Sequence, residues 1–186
     1  MAISNTMLLQ IRISQHNDEV AFKELYYVHY KELYRFAKTF LQKIELAEEV
    51  LQDVFTKIWI NRKGLHNIQN LRVYLFKSVK NKCLDYLEKE KLLPHFELDE
   101  VKATVSNLSR TPEDILISAE TLAHINEIMQ TLPPKCKIIF QLVKEENLKY
   151  KEVADILDIS LKTVENQVGI ALKKISQAIN LHHKGY

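Results

Sequence analysis

The chain has 186 residues, with 26 Lys and Arg against 24 Asp and Glu, so its formal net charge at pH 7 is only +2. So small a charge excludes strong binding to nucleic acid through phosphate contacts alone. The two cysteines have no second thiol or histidine at a metal-ligand spacing, which indicates buried thiols rather than a disulfide framework or a zinc site. No run of 18 apolar residues and no secretory leader pattern occur, so we expect a cytoplasmic protein without a membrane span.

Three amphipathic helices are predicted in the first half of the chain. The first, residues 18–41, carries an aromatic-rich apolar stripe and has Asn17 available as its N-cap. The second runs from about residue 46 and ends before Gly64, because glycine often follows the last turn of a helix. The third covers residues 70–91. Only three glycines and four prolines interrupt this helical spacing, so we predict an all-α fold.

The composition changes midway along the chain. Residues 94–111 lose helical periodicity and turn acidic, which predicts a flexible linker. Thr111 and Pro112 then make a strong helix start, because the hydroxyl can cap the helix and proline suits its first turn. We therefore expect two small helical domains, residues 1–93 and 112–186, joined by the acidic linker.

Residues 150–175 have the pattern of a C-terminal helix-turn-helix, which follows a predicted short helix at 135–145. Val153 and Val164 belong to its apolar wedge, and Ser160 can cap its second helix. A recognition helix meets DNA base edges with its N-terminal residues, and polar side chains occupy these positions here. A plain helical hairpin with a solvated face has the same periodicity, so the pattern alone leaves both interpretations open.

The second and third predicted helices carry two candidate binding surfaces. Acidic side chains on the second lie beside Phe55 and Trp59, which we take as exposed, and this mixture is typical of a docking face. The third interleaves lysines with aromatic residues, including Tyr74 on its inward stripe, an arrangement that can hold unstacked bases along a phosphate backbone. For either helix alone, core aromatics plus a solvated charged face are the better explanation.

Taken in order, these segments resemble bacterial RNA polymerase sigma factors of the sigma-70 family, in its extracytoplasmic-function (ECF) group. The similar segments are AEEVLQDVFTKIW at 47–59, NLRVYLFKSVKNKCLDYL at 70–87, LPPKCKIIFQL at 132–142 and the helix-turn-helix. The resemblance covers residues 21–175, and several motifs in one order are more specific than any single motif. KTVENQVGIALKK, at 162–174, is similar to sigma factors of the Bacteroides lineage.

The resemblance implies a transcription initiation factor that directs core RNA polymerase to promoters and promotes DNA melting. It assigns polymerase binding to the second helix: Glu48, Glu49, Gln52, Asp53 and Phe55. It assigns the −10 promoter element and a flipped base to the third helix: Arg72, Tyr74, Lys77, Lys80, Asn81, Lys82 and Asp85. It assigns the −35 element to the recognition helix: Lys162, Thr163, Glu165, Asn166, Gln167, Lys173 and Lys174. It also implies a membrane-anchored anti-sigma partner, and no catalysis, cofactor or metal.

Two features depart from the family pattern. Many relatives have glycine at the turn where this chain has Asp158, which can adopt the turn at some energetic cost. Many carry arginines along the recognition helix, where Glu165 and Gln167 stand here. Asparagine and glutamine pair with adenine, and glutamate pairs with cytosine N4, so we predict a −35 preference that contains adenine.

Polymerase would let two weak DNA contacts act together, because the second contact becomes intramolecular once the first has formed. The linker of residues 94–111 spans up to about 60 Å when extended, well over one turn of DNA. Its acidic residues either form a soluble spacer or occupy a basic channel of the polymerase.

Two other classes of protein stay open on the sequence. A homodimeric helix-turn-helix regulator would bind duplex operators without polymerase and would use residues 1–93 for sensing or dimerisation. A purely protein-binding helical adaptor would be insensitive to alanine at Asn166 and Gln167. Neither class accounts for the order and spacing of the motifs at 47–87.

Overall fold

The computed structural model describes residues 5–41, 43–89, 129 and 131–183, and every regular element among them is helical. The chain divides into two compact units, Met1–Pro94 and His95–Tyr186. The first unit contains α1 (Asn5–His16), α2 (Glu19–Phe40), α3 (Ile44–Ile60), a 3₁₀ turn (Arg62–Asn67) and α4 (Leu71–Lys89). The second contains α5 (Pro134–Lys144), α6 (Tyr150–Leu157) and α7 (Leu161–His183). The all-α prediction is confirmed, whereas the linker and the helix start at Thr111 fall outside the described residues.

Helix α1 is an element that the apolar pattern did not predict. Its Leu9 and Ile13 stand four residues apart, on the same side of the helix, and both are buried. This side packs against the 3₁₀ turn and α2. The first unit is therefore larger by one helix than the three predicted from the sequence.

The N-cap of α2 is Asp18, one residue later than predicted. Its Oδ1 accepts a hydrogen bond from the backbone N–H of Ala21 at 2.9 Å, and its Oδ2 lies 2.8 Å from Arg12 Nη2. The Ala21 and Arg12 hydrogen bonds hold the pKa of Asp18 below its usual value. Asn17 has a φ of +52° and provides the left-handed turn between α1 and α2, so it cannot also cap α2.

Helix α3 ends at Ile60, with Asn61 as its C-cap, so the prediction that it continues through Lys63 to end before Gly64 was wrong. The Asn61 backbone N–H and its side-chain Nδ2 both donate to the Lys57 carbonyl, at 3.1 and 3.0 Å. Gly64 lies inside the 3₁₀ turn with a negative φ, a conformation that any residue can adopt. Side-chain capping by asparagine therefore ends this helix.

The core of the first unit forms where α2, α3 and α4 pack together. Phe36 of α2 and Phe76 of α4 meet with ring centroids 5.0 Å apart, and Leu25 of α2 and Leu51 of α3 are fully buried. These residues hold the outer faces of α3 and α4 in fixed orientations. Cys83 lies in the same buried region and is a free thiol, as predicted.

In the second unit, α6 and α7 form the predicted helix-turn-helix. Asp158 adopts the left-handed conformation, with φ 54° and ψ 45°, at the C-terminus of α6. The hydroxyl of Ser160 accepts a hydrogen bond from the Thr163 backbone N–H at 3.0 Å, so Ser160 caps α7 as predicted. Val153 and Val164 are fully buried where the two helices meet.

Candidate protein-binding and nucleic-acid interfaces

The outer face of α3 is acidic and polar. Glu48 and Gln52 lie four residues apart, as do Glu49 and Asp53, and all four side chains are exposed. Four of the five residues predicted to bind polymerase thus form one continuous surface, which we call the acidic face. The fifth, Phe55, does not belong to it, since its relative exposure is 3%.

Phe55 is buried between α2 and α3, which corrects the expectation that it is exposed. Its ring makes edge contacts with Tyr26 at 4.8 Å and with Phe22 at 6.2 Å between centroids. Trp59 is half-buried against Phe22, with the Arg62 guanidinium stacked over its ring at 4.4 Å. The aromatic stripe of α2 covers these rings, so they hold the two helices together.

A row of tyrosines on α2 borders the acidic face. Tyr26, Tyr30 and Tyr34 stand four residues apart along α2, with neighbouring ring centroids at 5.3 and 5.7 Å. Burial and the nearby carboxylate of Glu48 raise the pKa values of all three. Their spacing of four residues, readable in the sequence, predicts that the three rings lie on one side of α2.

Helix α4 presents most of the residues predicted for the −10 element, with one exception. Tyr74, Asn81 and Asp85 are exposed, so Tyr74 does not point inward as predicted. Lys77 and Lys82 are partly exposed. Lys80 has a relative exposure of only 4%, which removes it from the surface available to DNA. It lies on the side of α4 that also carries the buried Phe76 and Cys83, three or four residues away.

Arg72 is held by an ion pair inside the first unit. Its Nε and Nη2 donate to Glu32 Oε2 at 2.9 and 2.5 Å, and its guanidinium lies 5.7 Å from the Phe76 ring centroid. His29 Nδ1 lies 2.5 Å from the other Glu32 oxygen. Burial raises the pKa of Glu32, but the His29 and Arg72 hydrogen bonds outweigh it and leave that pKa below its usual value. Arg72 therefore links α4 to α2.

A cleft of about 200 Å³ separates the acidic face of α3 from the exposed face of α4. Tyr74, Asn81 and Asp85 line it on one side, and Asp53 lines it on the other. Lys82 Nζ lies 2.7 Å from Asp53 Oδ2 across the cleft. The surface predicted to bind polymerase and the surface predicted to bind DNA thus meet through one ion pair.

The recognition helix α7 exposes most of the residues predicted for the −35 element. Five of them are exposed: Lys162, Glu165, Asn166, Lys173 and Lys174. The other two, Thr163 and Gln167, are partly buried. Lys162 lies 3.4 Å from Glu165, and the Thr163 hydroxyl lies 2.8 Å from that of Ser160. Lys174 Nζ donates to the Thr131 carbonyl at 3.4 Å. Asn166 is thus exposed on the first turns of the helix, where base edges would lie.

The described residues contain no group of three or more His, Cys, Asp or Glu placed to hold a metal ion. Within the same ranges, no helix has the length and apolarity that crossing a membrane requires.

Comparison with known proteins identifies the two units. Residues 25–92 match the family model for sigma-70 region 2, and residues 123–175 match the model for sigma-70 region 4. The first match spans α3 and α4, and the second spans the helix-turn-helix.

Curated relatives match over most of their own length. The ECF RNA polymerase sigma factor SigM of Bacillus subtilis is 27% identical over 139 residues, which cover 74% of this chain and 82% of SigM. The ferric citrate uptake sigma factor FecI of Escherichia coli is 24% identical, with 83% of this chain and 88% of FecI covered.

Solved structures share the fold at low sequence identity. CnrH, solved in complex with the cytosolic domain of CnrY, has a TM-score of 0.60 at 20% identity and covers 95% of this chain and 97% of its own. RpoE of Bartonella quintana, solved with the anti-sigma factor NepR, has a TM-score of 0.60 at 19% identity and covers 86% and 96%. With sigma-70 regions 2 and 4 present in order, the chain belongs to the sigma-70 family, in its ECF group, and is a factor that directs RNA polymerase to promoters.

Proposed function

We propose that the two units divide the work of promoter recognition. The acidic face of α3 docks on core RNA polymerase, α4 holds the melted −10 element, and α7 reads the −35 element. The observation that carries this proposal is that Asp53 of the acidic face and the α4 surface line the two sides of one cleft. Polymerase bound at α3 is then adjacent to the DNA strand bound at α4.

The α4 surface suits a single strand better than a duplex. It combines the exposed ring of Tyr74 with the amide of Asn81 and the ammonium of Lys77. An aromatic ring can stack with an unpaired base, and an ammonium group can pair with its phosphate. Stacking and hydrogen bonds to an extruded base offset the few kcal/mol that its unstacking costs. Melting is then a shift in population toward the open strand and needs no enzymatic step.

At the −35 element, Asn166 is the best-placed side chain for base reading. It is exposed, and an asparagine amide can bond both N6 and N7 of adenine in the major groove. We therefore retain the prediction that the −35 sequence contains adenine. The acidic linker, residues 94–111, would keep both units on one DNA molecule.

We further propose that the protein works in the cytoplasm, without catalysis of its own, and that a membrane-anchored anti-sigma protein restrains it. CnrH and RpoE were solved with CnrY and NepR bound, which supports a bound protein partner, and the membrane anchor rests on the sequence resemblance alone. An origin in the Bacteroides lineage stays a prediction that rests on residues 162–174.

In vitro transcription with core polymerase on a promoter library tests the proposal. We expect specific transcripts only when the protein is added, and negligible duplex binding by the protein alone. Tight binding of a duplex by a symmetric dimer, together with failure to join core polymerase, would refute it.

Variants separate the assigned roles. Asp53→Lys should weaken association with core polymerase, since it reverses a charge on the acidic face. Asn81→Ala should impair promoter opening more than association, and Asn166→Ala should relax the −35 preference. Lys31→Ala, an exposed cation on α2, provides the control for loss of a surface charge.

A further inference from the structure

The 3₁₀ turn between α3 and α4 is bonded to α1 through one side chain. Gln10 lies on α1 with a relative exposure of 5%. Its Nε2 donates to the Leu65 carbonyl at 2.8 Å and to the Ile68 carbonyl at 2.9 Å. An NH₂ group has two hydrogens, so both donors of this amide are used on the turn.

A second bond ties the beginning of the same turn to the chain after α1. Arg62 Nε donates to Asn17 Oδ1 at 2.7 Å. The Leu65 side chain is buried as well, with a relative exposure of 3%. The turn is therefore held at its start by Asn17, in its middle by Leu65 and at its end by Gln10.

The position of the turn decides where α4 begins. Asn70 follows Ile68 by two residues, and its Oδ1 accepts a hydrogen bond from the Val73 backbone N–H at 3.1 Å, which closes the first turn of α4. Tyr74 is one residue further along, and its N–H donates to the Asn70 carbonyl. A displacement at Ile68 would thus be passed to the part of α4 that faces the cleft.

Packing alone does not account for an amide at position 10. Of the other buried positions on this side of α1, Leu9 and Ile13 are apolar, and Ser14 bonds only to the Ile11 carbonyl of its own helix. A buried amide is costly unless its donors are satisfied, and Gln10 satisfies both on backbone carbonyls 55 and 58 residues away. An apolar side chain would fill the same space but would leave these contacts unmade.

We propose that Gln10 is a positioning residue for promoter opening: it fixes the 3₁₀ turn and thereby aligns the start of α4 with the melted strand. The inference rests on the proposed −10 role of α4. Gln10 is buried and is not on the acidic face, so its loss should change the opening step and leave docking on polymerase intact.

The experiment compares substitutions in the full chain bound to core polymerase. Gln10→Met keeps the length of the side chain and removes both donors, and Gln10→Asn keeps the amide but shortens its reach by one methylene. Ser14→Ala is the matched control, because Ser14 is also on the buried side of α1 but its hydroxyl bonds only within the helix, to the Ile11 carbonyl. Polymerase association is measured by fluorescence anisotropy, and opening by 2-aminopurine placed in the −10 element.

We expect both Gln10 variants to open the promoter at least about fivefold less well, the change that one lost hydrogen bond produces, with a larger loss for Gln10→Met, which removes two, and with polymerase association unchanged. Thermal unfolding followed by Trp59 fluorescence sets an assay temperature at which every variant is folded. Normal opening by Gln10→Met, or an equal loss of association and opening, would overturn the positioning role.

The Asn81→Ala variant shows whether such a result contradicts only the positioning role of Gln10 or also the proposed −10 role of α4. If Asn81→Ala opens poorly while both Gln10 variants open normally, only the positioning role is wrong. If all three open normally, the −10 role of α4 is wrong as well, and the positioning role falls with it.

Discussion

The ammonium of Lys82 lies 2.7 Å from the carboxylate of Asp53 and joins α4 to α3. The hydrogen bond that this ammonium donates to the carboxylate raises the pKa of Lys82, because it favours the charged form. In the proposed function the two residues serve different partners, Asp53 the polymerase and Lys82 the DNA. On this proposal, a polymerase contact that takes up the Asp53 carboxylate would free Lys82 for a phosphate.

Replacing Asp53 with asparagine should mimic this release. We expect the free protein to bind a single-stranded −10 oligonucleotide more tightly, by less than about fivefold, because exposed ion pairs contribute only about 0.2–1 kcal/mol. Anisotropy titrations at low and high salt would measure the gain, which should shrink as salt screens the charges. Glu24→Gln removes the same charge from an exposed site on α2, and an equal gain in that variant would show an effect of net charge alone.

Replacing Phe55 with alanine should lower the stability of the first unit, because the ring belongs to the core and not to an interface. The ring is buried against Tyr26 and Phe22, so we expect the free energy of unfolding to fall by about 3–5 kcal/mol. Urea titration followed by the fluorescence of Trp59, the only tryptophan in the chain, reports on this unit directly. Glu49→Ala, on the exposed acidic face, should change it by less than about 0.5 kcal/mol.

A conservative substitution at Phe55 tests whether the ring also contacts polymerase. Phe55→Leu keeps the site filled with apolar atoms, and we expect it to fold and to bind polymerase normally. A stable Phe55→Leu protein that fails to bind polymerase would show that the ring contacts the partner directly, as the sequence had predicted.

The Glu32 carboxylate should make the stability of the first unit depend on acid pH. Glu32→Gln leaves Arg72 and His29 without their charged partner, and we expect a loss of about 2 kcal/mol at pH 7, typical of hydrogen bonds to a charged group. Because the pKa of Glu32 is lowered in the folded state, its stabilising effect is complete above the unfolded value of about 4.5. It is lost as the pH falls through the lower folded pKa.

Urea titrations of the wild type and of Glu32→Gln, from neutral to acid pH, measure this dependence. The gap in unfolding free energy between wild type and Glu32→Gln should be constant above about pH 5 and should close in more acidic solution. Glu88→Gln, on the exposed side of α4, should show no such gap. A gap that persists unchanged into strong acid would mean that the charge of Glu32 is not what stabilises the unit.

Helical periodicity was sufficient to predict α2, α3 and α4, and the residues that α3 buries apart from Phe55. Ala47, Val50 and Ile58 recur at helical spacing, and all three are in the core. Turn chemistry was equally informative in the second unit, where the hydroxyl of Ser160 and the left-handed Asp158 fall at the predicted positions.

The sequence predictions were wrong or incomplete where the exposure or the contacts of a residue depend on another part of the fold. The acidic residues near Phe55 in the sequence suggested an exposed ring, but the aromatic stripe of α2 packs on the ring and buries it. Lys80 lies on the charged face by composition, yet α4 packs with that side inward. The role of Gln10 depends on carbonyls 55 and 58 residues away, and no local pattern predicts such a contact.

The left-handed turn at Asp158 provides a test of the second unit. An L-residue in this conformation is strained by about 1–2 kcal/mol, less for aspartate than for most residues, and glycine avoids the strain. Glycine costs about 0.4–1 kcal/mol through the entropy of the unfolded chain. The Asp158 carboxylate also lies at the C-terminus of α6, where the helix dipole disfavours negative charge. We therefore expect Asp158→Gly to stabilise this unit by about 0.5–1 kcal/mol.

The same substitution three residues earlier provides the control. Asp155 lies inside α6 with right-handed helical geometry, so Asp155→Gly should destabilise the helix by about 1 kcal/mol. Hydrogen exchange of the α6 and α7 amides, measured by mass spectrometry, should slow in the first variant and accelerate in the second. If both variants accelerated exchange, the contacts of the Asp158 side chain would outweigh the strain of its backbone, and aspartate would be the better residue at this turn.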